Sequence, residues 1–484
     1  MDRYPPIAEH GLVGDLQTAA LVSSQGVVDW FAAPRFDSPS IFAALLDHDG
    51  GGYMLLAPER SDVTCKQLYY PDTAILMTRF MSPDGVGEVV DFMPPDRTRT
   101  ATDRHTLMRV VRGTVEFTLE CRPRFDYGRA EHQLELGENT GLFRSPGMDA
   151  HLQASFPLER DGRDVRGRVT LSAGESGGVV FTVCASGGEA PASLTVDGLT
   201  AQADDTGQFW QEWLRQSRYR GRWPELVHRS VITLKLLTYA PTGALVAAAT
   251  MGLPEQVGGE RTRTLDWFAE AWDRPDEGIW ETRGGRQSFT FSRVMSWAAF
   301  DQGLRLAEHF RRPADVAKWR STRDTILEQV MEHGWSEQEG AFVQHYGGDV
   351  LDASLLLMPR VQFVAPRDPA WLATLDAMDR KLVSDSLVYR YDPAASPDGL
   401  RGSEGTFSLC TFLYADAPAR AGRLPQARYT FEKMQTHANH IGLFAEEIGP
   451  SGGQLGNFPQ AFTHLSLIMA ATTLDEALDA ESRR

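Results

Sequence analysis

The feature that most constrains the fold is a change of hydrophobic period near Thr206. Before it, short β-rich runs such as 86–92 and 178–184 are separated by glycine-rich turns, which indicates antiparallel strands. After it, apolar residues recur at helical spacing, beginning with Phe209 and Trp213. The sequence therefore predicts a β-rich region followed by a helical one.

A chain of 484 residues is too long for one ordinary core, so at least two domains are expected. The predicted fold class is β + α with two domains: an antiparallel β-sandwich over residues 1–205 and an all-α toroid of the (α/α)6 type over 223–484. A linker helix is predicted over 206–222. A stack of helical repeats is the competing arrangement, but no fixed period recurs in the sequence.

Local patterns place the individual elements. In the first region the runs 107–115 and 115–121 are predicted as separate strands, and one helical turn is predicted at 40–46. Nine helices are predicted from residue 223 onward, at 226–239, 264–272, 292–310, 313–333, 353–363, 369–383, 405–421, 425–440 and 458–478.

The net charge and composition limit the classes of molecule that this chain is expected to bind. A formal net charge of −17 argues against nucleic acid or an anionic membrane as the main partner, whereas a neutral sugar would feel no penalty. The eleven Trp suit sugar binding, although large cores also contain Trp. The four Cys are far apart and form no Cys-x-x-Cys motif, so we expect free thiols and no metal site. With no basic leader and no long apolar run, a cytoplasmic protein is predicted.

A loop rich in acids and glycines runs from Pro275 to Gly285. It holds three carboxylates and three glycines without a helical repeat, which is typical of a loop at the mouth of a site. Trp280 places an apolar wall beside Glu281, and such a wall can keep a carboxyl protonated near neutral pH. A surface turn with ordinary solvated acids is the alternative.

A second acidic loop, 443–450, carries the adjacent acids Glu446 and Glu447 between two predicted helices. Glycoside hydrolysis requires two carboxyls, one to protonate the leaving oxygen and one to activate water or stabilise the cation. Acids on different loops of a helical toroid can face each other across its central cavity. Each Glu taken alone is more often a surface acid, but the pair of loops favours a glycosidase site.

The segment 388–392 places Arg390 between Tyr389 and Tyr391. A guanidinium flanked by aromatic rings suits the hydroxyls and the face of a sugar, so Tyr389 and Arg390 are candidate sugar-binding residues. A turn with a solvated Arg explains the same pattern equally well.

Ordered motifs extend from the amino terminus almost to the carboxyl end. They are Tyr4-Pro5-Pro6-Ile7, Leu12-Val13-Gly14-Asp15, Asp29-Trp30, Pro34-Arg35-Phe36-Asp37-Ser38-Pro39, Tyr239-Ala240-Pro241-Thr242-Gly243, Pro275 to Glu281, Ala445-Glu446-Glu447 and Gly456-Asn457-Phe458-Pro459-Gln460-Ala461-Phe462. On these motifs the chain resembles the bacterial branch of glycoside hydrolase family 15, which includes glucoamylases, glucodextranases and trehalases. The resemblance implies a β-sandwich joined by a linker helix to an (α/α)6 barrel, and hydrolysis with inversion by two glutamates.

Carried over motif by motif, the resemblance implies that Glu281 is the general acid and Glu446 the general base. It also implies that Trp280 contacts the sugar, that Arg390 binds hydroxyls of the non-reducing sugar, and that Glu447 supports the base. The predicted activity is release of glucose from a non-reducing α-glucosyl end of trehalose or of a malto- or isomalto-oligosaccharide, with no metal or cofactor.

The sequence departs from the family pattern after Arg261. Family members usually continue there into a Trp-Asp-Tyr-Arg-Tyr…Trp-Ile-Arg-Asp motif and several barrel helices, whereas this chain runs straight to Asp266-Trp267-Phe268. An incomplete barrel is therefore predicted, and each lost charged hydrogen bond to the sugar would weaken transition-state binding by roughly 1.5–3 kcal/mol. Exposed helix faces would favour a homo-oligomer. The alternative function is a catalytically impaired carbohydrate-binding or interaction protein.

Overall fold

A computed structural model describes residues 4–58, 62–95, 101–188, 191–250, 269–280, 285–310, 314–392 and 405–483. The chain divides into two compact units. Unit 1 comprises Met1–Pro254, Ala438–Glu446 and Gln454–Leu465, and unit 2 comprises Glu255–His437, Glu447–Gly453 and Ser466–Arg484.

The described part of unit 1 opens with a short 3₁₀ helix, Ile7–Glu9, and fifteen strands that pair antiparallel. The strands are β1 His10–Gly14, β2 Ala19–Ser23, β3 Val27–Ala32, β4 Ser40–Phe42, β5 Tyr53–Pro58, β6 Thr64–Tyr69, β7 Leu76–Met81, β8 Gly85–Phe92, β9 Thr102–Arg122, β10 Gln133–Leu136, β11 Thr140–Ser145, β12 Met148–Ala154, β13 Leu158–Asp161, β14 Asp164–Ser172 and β15 Ser176–Ala185.

The long strand β9 belongs to two sheets. Its first half pairs with β8 and β15, and its second half pairs with β5 and β14. Gly113, between the halves, has a φ of +71°, and a Cβ there would overlap the carbonyl oxygen of Asp84. Glycine therefore lets the strand bend without ending, which is why the two runs predicted at 107–115 and 115–121 form one element.

The two sheets pack face to face around an apolar core. The ring of Phe42, on β4, lies 5.3 Å from that of Phe181, on β15, so side chains of both layers interdigitate. The predicted antiparallel β-sandwich is confirmed. The helical turn predicted at 40–46 is wrong at its start, because β4 pairs with β3 through Phe31 and Phe42.

Helix α1, Val196–Leu214, follows the sandwich. It begins ten residues before the predicted linker helix at 206–222, because the hydroxyl of Thr195 accepts a hydrogen bond from the N–H of Gly198 and caps the helix there. Helix α2, Pro224–Leu236, comes next. Both helices pack with β1 and the late segments of unit 1 in a second core that includes Trp30, Trp210, Leu236, Ala445 and Phe458.

Unit 2 is mainly helical. Its described helices are α3 Thr290–Phe310, α4 Val316–His333, the 3₁₀ helix Ala353–Leu357, α5 Pro369–Lys381, α6 Ser408–Ala421, α7 Leu424–Gln435 and α8 Ala461–Ser482, whose first residues belong to unit 1. Short two-residue strands follow or precede several helices in both units: Thr238–Tyr239, Ala244–Leu245, Trp335–Ser336, Ala341–Phe342, Val383–Ser384, Leu387–Val388, Thr406–Phe407, Glu447–Ile448 and Gln454–Leu455.

Consecutive helices of unit 2 pack in pairs, α3 with α4 and α6 with α7, over a core that includes Trp371 and Phe300. The helix predicted at 353–363 is wrong in length: only a 3₁₀ turn forms, because Pro359 has no N–H with which to extend it. The helix predicted at 264–272 and the site of the predicted deletion lie largely outside the described residues.

None of the helices in the described ranges combines the length and the apolar character needed to cross a bilayer. The four cysteines are free, and burial raises the pKa of each thiol above its ordinary value.

Candidate active site

The acidic loop predicted at 275–285 is anchored at its base in unit 2. The backbone of Asp276 pairs with that of Gln287 through two hydrogen bonds of 3.0 and 2.9 Å, which closes the ends of the loop. The Oδ1 atom of Asp276 accepts from the N–H of Gly278 at 2.7 Å and from the hydroxyl of Ser292 at 2.8 Å. These contacts fix the turn that leads into Trp280.

A buried guanidinium supports the same loop from helix α3. Arg293 is 1% exposed, and its Nη2 donates to the carbonyl oxygens of Asp273 and Arg274 at 3.1 and 3.3 Å. Its Nη1 lies 3.5 Å from Oδ2 of Asp276. A cavity of about 410 Å³ lies against this anchor, lined by Ala271, Trp272, Arg274, Pro275, Asp276, Glu277, Arg286, Ser292, Arg293 and Ser296.

Trp280 is half-buried, and its indole is fixed at both its edge and its face. The Nε1–H group donates to Oδ1 of Asp352 at 2.9 Å. The ring of Phe407 meets the indole edge to face at a centroid distance of 5.5 Å. An indole held in this way presents a fixed surface on which a pyranose can pack.

Asp352 is 2% exposed and accepts three N–H groups: Trp280 Nε1, the backbone N–H of Ser354 at 2.8 Å and Gln344 Nε2 at 3.0 Å. Burial raises the pKa of the Asp352 carboxyl above its usual value, against the opposing effect of these donors. The side chain also caps the 3₁₀ helix Ala353–Leu357.

Arg390 lies against the same aromatic group. Its guanidinium carbon is 5.0 Å from the centre of the Phe407 ring and 5.7 Å from that of the Trp280 ring, both within cation–π range. Its Nη2 lies 3.8 Å from Oε1 of Glu447, and both side chains are about one-fifth exposed, at 18% and 20%. We call Trp280, Arg390, Phe407 and Glu447 the aromatic–arginine cluster.

Strand pairing explains why Glu447 and Phe407 belong to this cluster. The short strands Thr406–Phe407 and Glu447–Ile448 pair antiparallel, with Phe407 opposite Glu447. A Cβ on Gly405 would lie 2.6 Å from the carbonyl oxygen of Ile448, so the approach of the two strands requires a glycine at that position. The sequence-predicted residues Trp280, Arg390 and Glu447 are thus brought together.

Two other predicted residues are not part of this group. Tyr389 is half-buried, and its backbone N–H donates to the carbonyl of Leu382 at 3.0 Å. Among the described residues, no hydrogen bond or ring contact joins its side chain to the cluster. Glu281 lies outside the described residues, so its predicted role and its separation from Glu446 stay predictions.

Glu446 belongs to unit 1, where its backbone and side chain are both held by Asn457. The N–H of Glu446 donates to the carbonyl of Asn457 at 3.0 Å, and Oε2 accepts from the backbone N–H and Nδ2 of Asn457 at 3.1 and 3.2 Å. The hydroxyl of Thr250 donates to Oδ1 of Asn457 at 2.9 Å and so fixes the amide. The carboxylate is therefore oriented through one of its two oxygens.

Gly456 makes this arrangement sterically feasible. Its φ is +76°, and a Cβ at this position would lie 2.8 Å from Oε2 of Glu446. Behind the loop, Phe444 is fixed by its backbone: its carbonyl accepts from Gln460 at 2.9 Å, and its N–H donates to Nε2 of the fully buried His464 at 3.4 Å. Helix α8 thus begins against the back of the Glu446 loop.

Sequence reasoning missed four of these residues. Asp352, Gln344 and Phe407 lie far along the chain from Trp280, and no local pattern links them to it. Asn457 belongs to the family motif Gly456 to Phe462. Its position between a glycine and an aromatic residue is the only sequence feature that could have indicated a role in the site. In the described ranges, no group of three or more His, Cys, Asp or Glu side chains is placed to hold a metal ion.

Two protein-family models match this chain, one in each half. The model for glycosyl hydrolases family 15 matches residues 261–472, and that for a trehalase-like N-terminal domain matches residues 2–149. The chain is 31% identical to a trehalase of Mycobacterium tuberculosis, over 96% of this chain and 89% of that protein. It is 28% identical to a trehalase of Thermoplasma volcanium, over 99% and 95% respectively. The alignment with the mycobacterial protein extends over 612 residues, compared with 484 in this chain.

Among solved structures, a bacterial glucoamylase complexed with acarbose matches with a TM-score of 0.69 at 11% identity, over 99% of this chain and 97% of that one. At this identity the match shows the fold, which is the predicted sandwich followed by a helical toroid of the (α/α)6 type. The 31% identity to the mycobacterial trehalase, over 96% of this chain, shows the family as well as the fold. The chain belongs to the glycosyl hydrolases of family 15, as its motifs predicted, and is an O-glycosyl hydrolase.

Proposed function

We propose that the chain is a trehalase that hydrolyses trehalose with inversion, using Glu281 as general acid and Glu446 as general base. Trehalose joins two α-glucosyl units, so either one offers the non-reducing end that the motifs predict. The names of the mycobacterial and archaeal relatives support trehalose ahead of malto- and isomalto-oligosaccharides, which present the same unit.

The observation that carries the proposal is the aromatic–arginine cluster. A glucosyl unit needs an apolar surface for its ring and charged donors and acceptors for its hydroxyls. The indole of Trp280 supplies the first, and Arg390 and Glu447, 3.8 Å apart and partly exposed, supply the second. Because Arg390 packs on the rings of Trp280, Tyr391 and Phe407, its guanidinium is held in place before the sugar arrives, which reduces the entropy lost on binding.

Glu446 suits the role of a base. Both hydrogen bonds from Asn457 end on Oε2, which orients the carboxylate and leaves Oε1 to take a proton from water. In an inverting mechanism the acid and the base stand about 6.5–9.5 Å apart, so that water fits between the base and the anomeric carbon. That separation is the geometric expectation for Glu281 and Glu446.

The first experiment is glucose release from trehalose, maltose and isomaltose, with the product anomers followed by ¹H NMR before mutarotation. Inversion of trehalose gives equal amounts of β-glucose, from the attacked unit, and α-glucose, from the leaving unit. Release of α-glucose alone would mean retention and would overturn the assigned roles.

Glu281→Gln and Glu446→Gln are each expected to lower kcat by about 10²–10⁴-fold. Matched controls are Glu277→Gln, whose exposed carboxylate pairs with Arg286 at 3.1 Å, and Glu432→Gln, which pairs with Arg428 at 2.7 Å. Both controls should keep wild-type kcat.

The alternative, a carbohydrate-binding protein without turnover, follows from the predicted loss of an Arg-Asp pair after Arg261. The alignment with the mycobacterial trehalase spans 612 residues, whereas this chain has 484. The difference supports the prediction that this chain lacks residues which that protein has. Binding of trehalose by calorimetry with no glucose released by the wild type would favour this alternative.

A further inference from the structure

Asp352 is bonded to Trp280 of the aromatic–arginine cluster and is paired through its backbone with the segment that carries Arg390. Its side chain accepts the indole N–H of Trp280 at 2.9 Å, from a position 72 residues further along the chain. Its backbone forms a bridge with Tyr391, and the N–H of the next residue, Ala353, donates to the carbonyl of Arg390 at 2.8 Å. The side chain of Asp352 is therefore bonded to Trp280, while the backbone at Asp352 and Ala353 is paired with the segment that carries Arg390.

The alternative role, helix capping alone, does not account for these contacts. A cap requires only the bond from Ser354 N–H to Oδ1, and a Ser or Thr hydroxyl would provide it at the same position. The same Oδ1 oxygen also takes the indole N–H, and Oδ2 is fixed by Gln344 at 3.0 Å. The carboxylate is thus held from both of its oxygens in the orientation that receives Trp280.

We infer that Asp352 is a positioning residue for glycoside hydrolysis, which sets the angle of the Trp280 indole and thereby the surface on which the glucosyl unit packs. The inference rests on the proposed function of the cluster. Without the bond, the contacts of the indole with Phe407 and Arg390 remain, but neither supplies an acceptor for its N–H.

Two substitutions separate positioning from capping. Asp352→Ser keeps a cap for Ser354 but is too short to reach the indole. Asp352→Asn keeps Oδ1 for the indole and for Ser354 and loses only the acceptor for Gln344 Nε2. We expect Asp352→Ser to lower kcat/KM for trehalose about 10- to 100-fold with a rise in KM, because a misplaced binding surface acts on substrate affinity. Asp352→Asn should stay within about threefold of the wild type.

Asp416→Ala is the control for loss of a buried carboxylate. Asp416 is also 2% exposed and lies in unit 2, where it pairs with Arg360 at 3.0 Å and Arg420 at 2.7 Å. Its removal is expected to destabilise the fold no less than Asp352→Ser, but it should leave KM unchanged, because a smaller folded fraction lowers the apparent kcat alone.

A second measurement is independent of turnover. In protein labelled with 5-fluorotryptophan, the ¹⁹F signal of Trp280, assigned with Trp280→Phe, should shift in Asp352→Ser and stay in place in Asp416→Ala. If the ¹⁹F signals behave as expected but the wild type releases no glucose, the proposed function is wrong, while the placement of the Trp280 indole by Asp352 is still supported. An unmoved Trp280 signal, an unchanged KM in Asp352→Ser, or an equal loss in Asp352→Asn would each overturn the inference.

Discussion

The backbone N–H of Phe444 donates a hydrogen bond to Nε2 of His464, at 3.4 Å and two residues before Glu446. Because Nε2 accepts, the ring proton is placed on Nδ1, which faces the hydroxyl of Ser230 at 3.0 Å. The ring is fully buried, and burial lowers the pKa of His464 to about 3. The neutral imidazole is thus a structural part of the loop that carries the proposed base.

Acid should therefore destabilise unit 1 through His464. Between pH 6.5 and about 3 the unfolded chain binds a proton that the folded ring does not, so the free energy of unfolding falls as pH falls, by about 1.4 kcal/mol per pH unit. His464→Gln keeps an acceptor for Phe444 but does not titrate. Urea unfolding across this window should give a shallower pH dependence for the variant, and equal slopes would contradict the assignment.

Asp15 should give the free energy of unfolding the opposite pH dependence. Burial raises the pKa of its carboxyl from 3.8 to about 6, so the folded state binds a proton that the unfolded state has lost, and stability falls as pH rises through that window. Asp15→Asn keeps the bonds from the backbone N–H groups of Gln17 and Thr18 to Oδ1. The variant should be more stable than the wild type at pH 7 by up to about 3 kcal/mol.

The comparison for Asp15→Asn is Asp37→Asn, an exposed carboxylate paired with Arg35 at the surface. Because solvent screens that pair, its removal should change the free energy of unfolding by less than about 1 kcal/mol. If both variants shift the pH profile equally, burial of Asp15 is not the cause.

Gly456→Ala should impair catalysis more than stability. The added methyl would lie 2.8 Å from Oε2 of Glu446, so the carboxylate must move from its bonds with Asn457. We expect kcat to fall about 100-fold, as for a displacement of about 1 Å at a reacting group. Gly452→Ala is a close control: its φ is +80°, but nothing lies within 4 Å of the added Cβ. Both variants should lose roughly 1 kcal/mol of stability from the left-handed backbone, and only the first should lose kcat.

Arg293→Lys tests the anchor of the Trp280–Glu281 loop. A Lys cannot donate at once to two carbonyls and a carboxylate in the planar arrangement of the guanidinium. We expect kcat to fall by about 10- to 100-fold with a lower midpoint of thermal unfolding, because Asp273, Arg274 and Asp276 lose the guanidinium that holds them. Arg286→Lys, which keeps the charge of the exposed pair with Glu277, should leave kcat unchanged. Equal kcat in both variants would mean that the anchor does not control the loop.

The sequence predicted the order of the two architectures because period two and period 3.6 are properties of local pattern. Strands β1 and β2 were harder to find, since every residue in them is buried and no alternation appears. Trp280, Arg390 and Glu447 could be selected from composition and family resemblance. Their mutual contacts could not, because these depend on Asp352 and Phe407, which approach only after the chain has folded.

The continuity of β9 determines how the first domain can be divided. Because one strand lies inside both layers and is paired along each edge of both halves, any break within Thr102–Arg122 removes the centre of two sheets at once. Split proteins, circular permutants and chimaeras with relatives should therefore tolerate junctions in the turns outside this strand and fail within it. A recombination junction within Thr102–Arg122 would thus disrupt both layers, whereas one in an outer turn would leave β9 and its pairings whole.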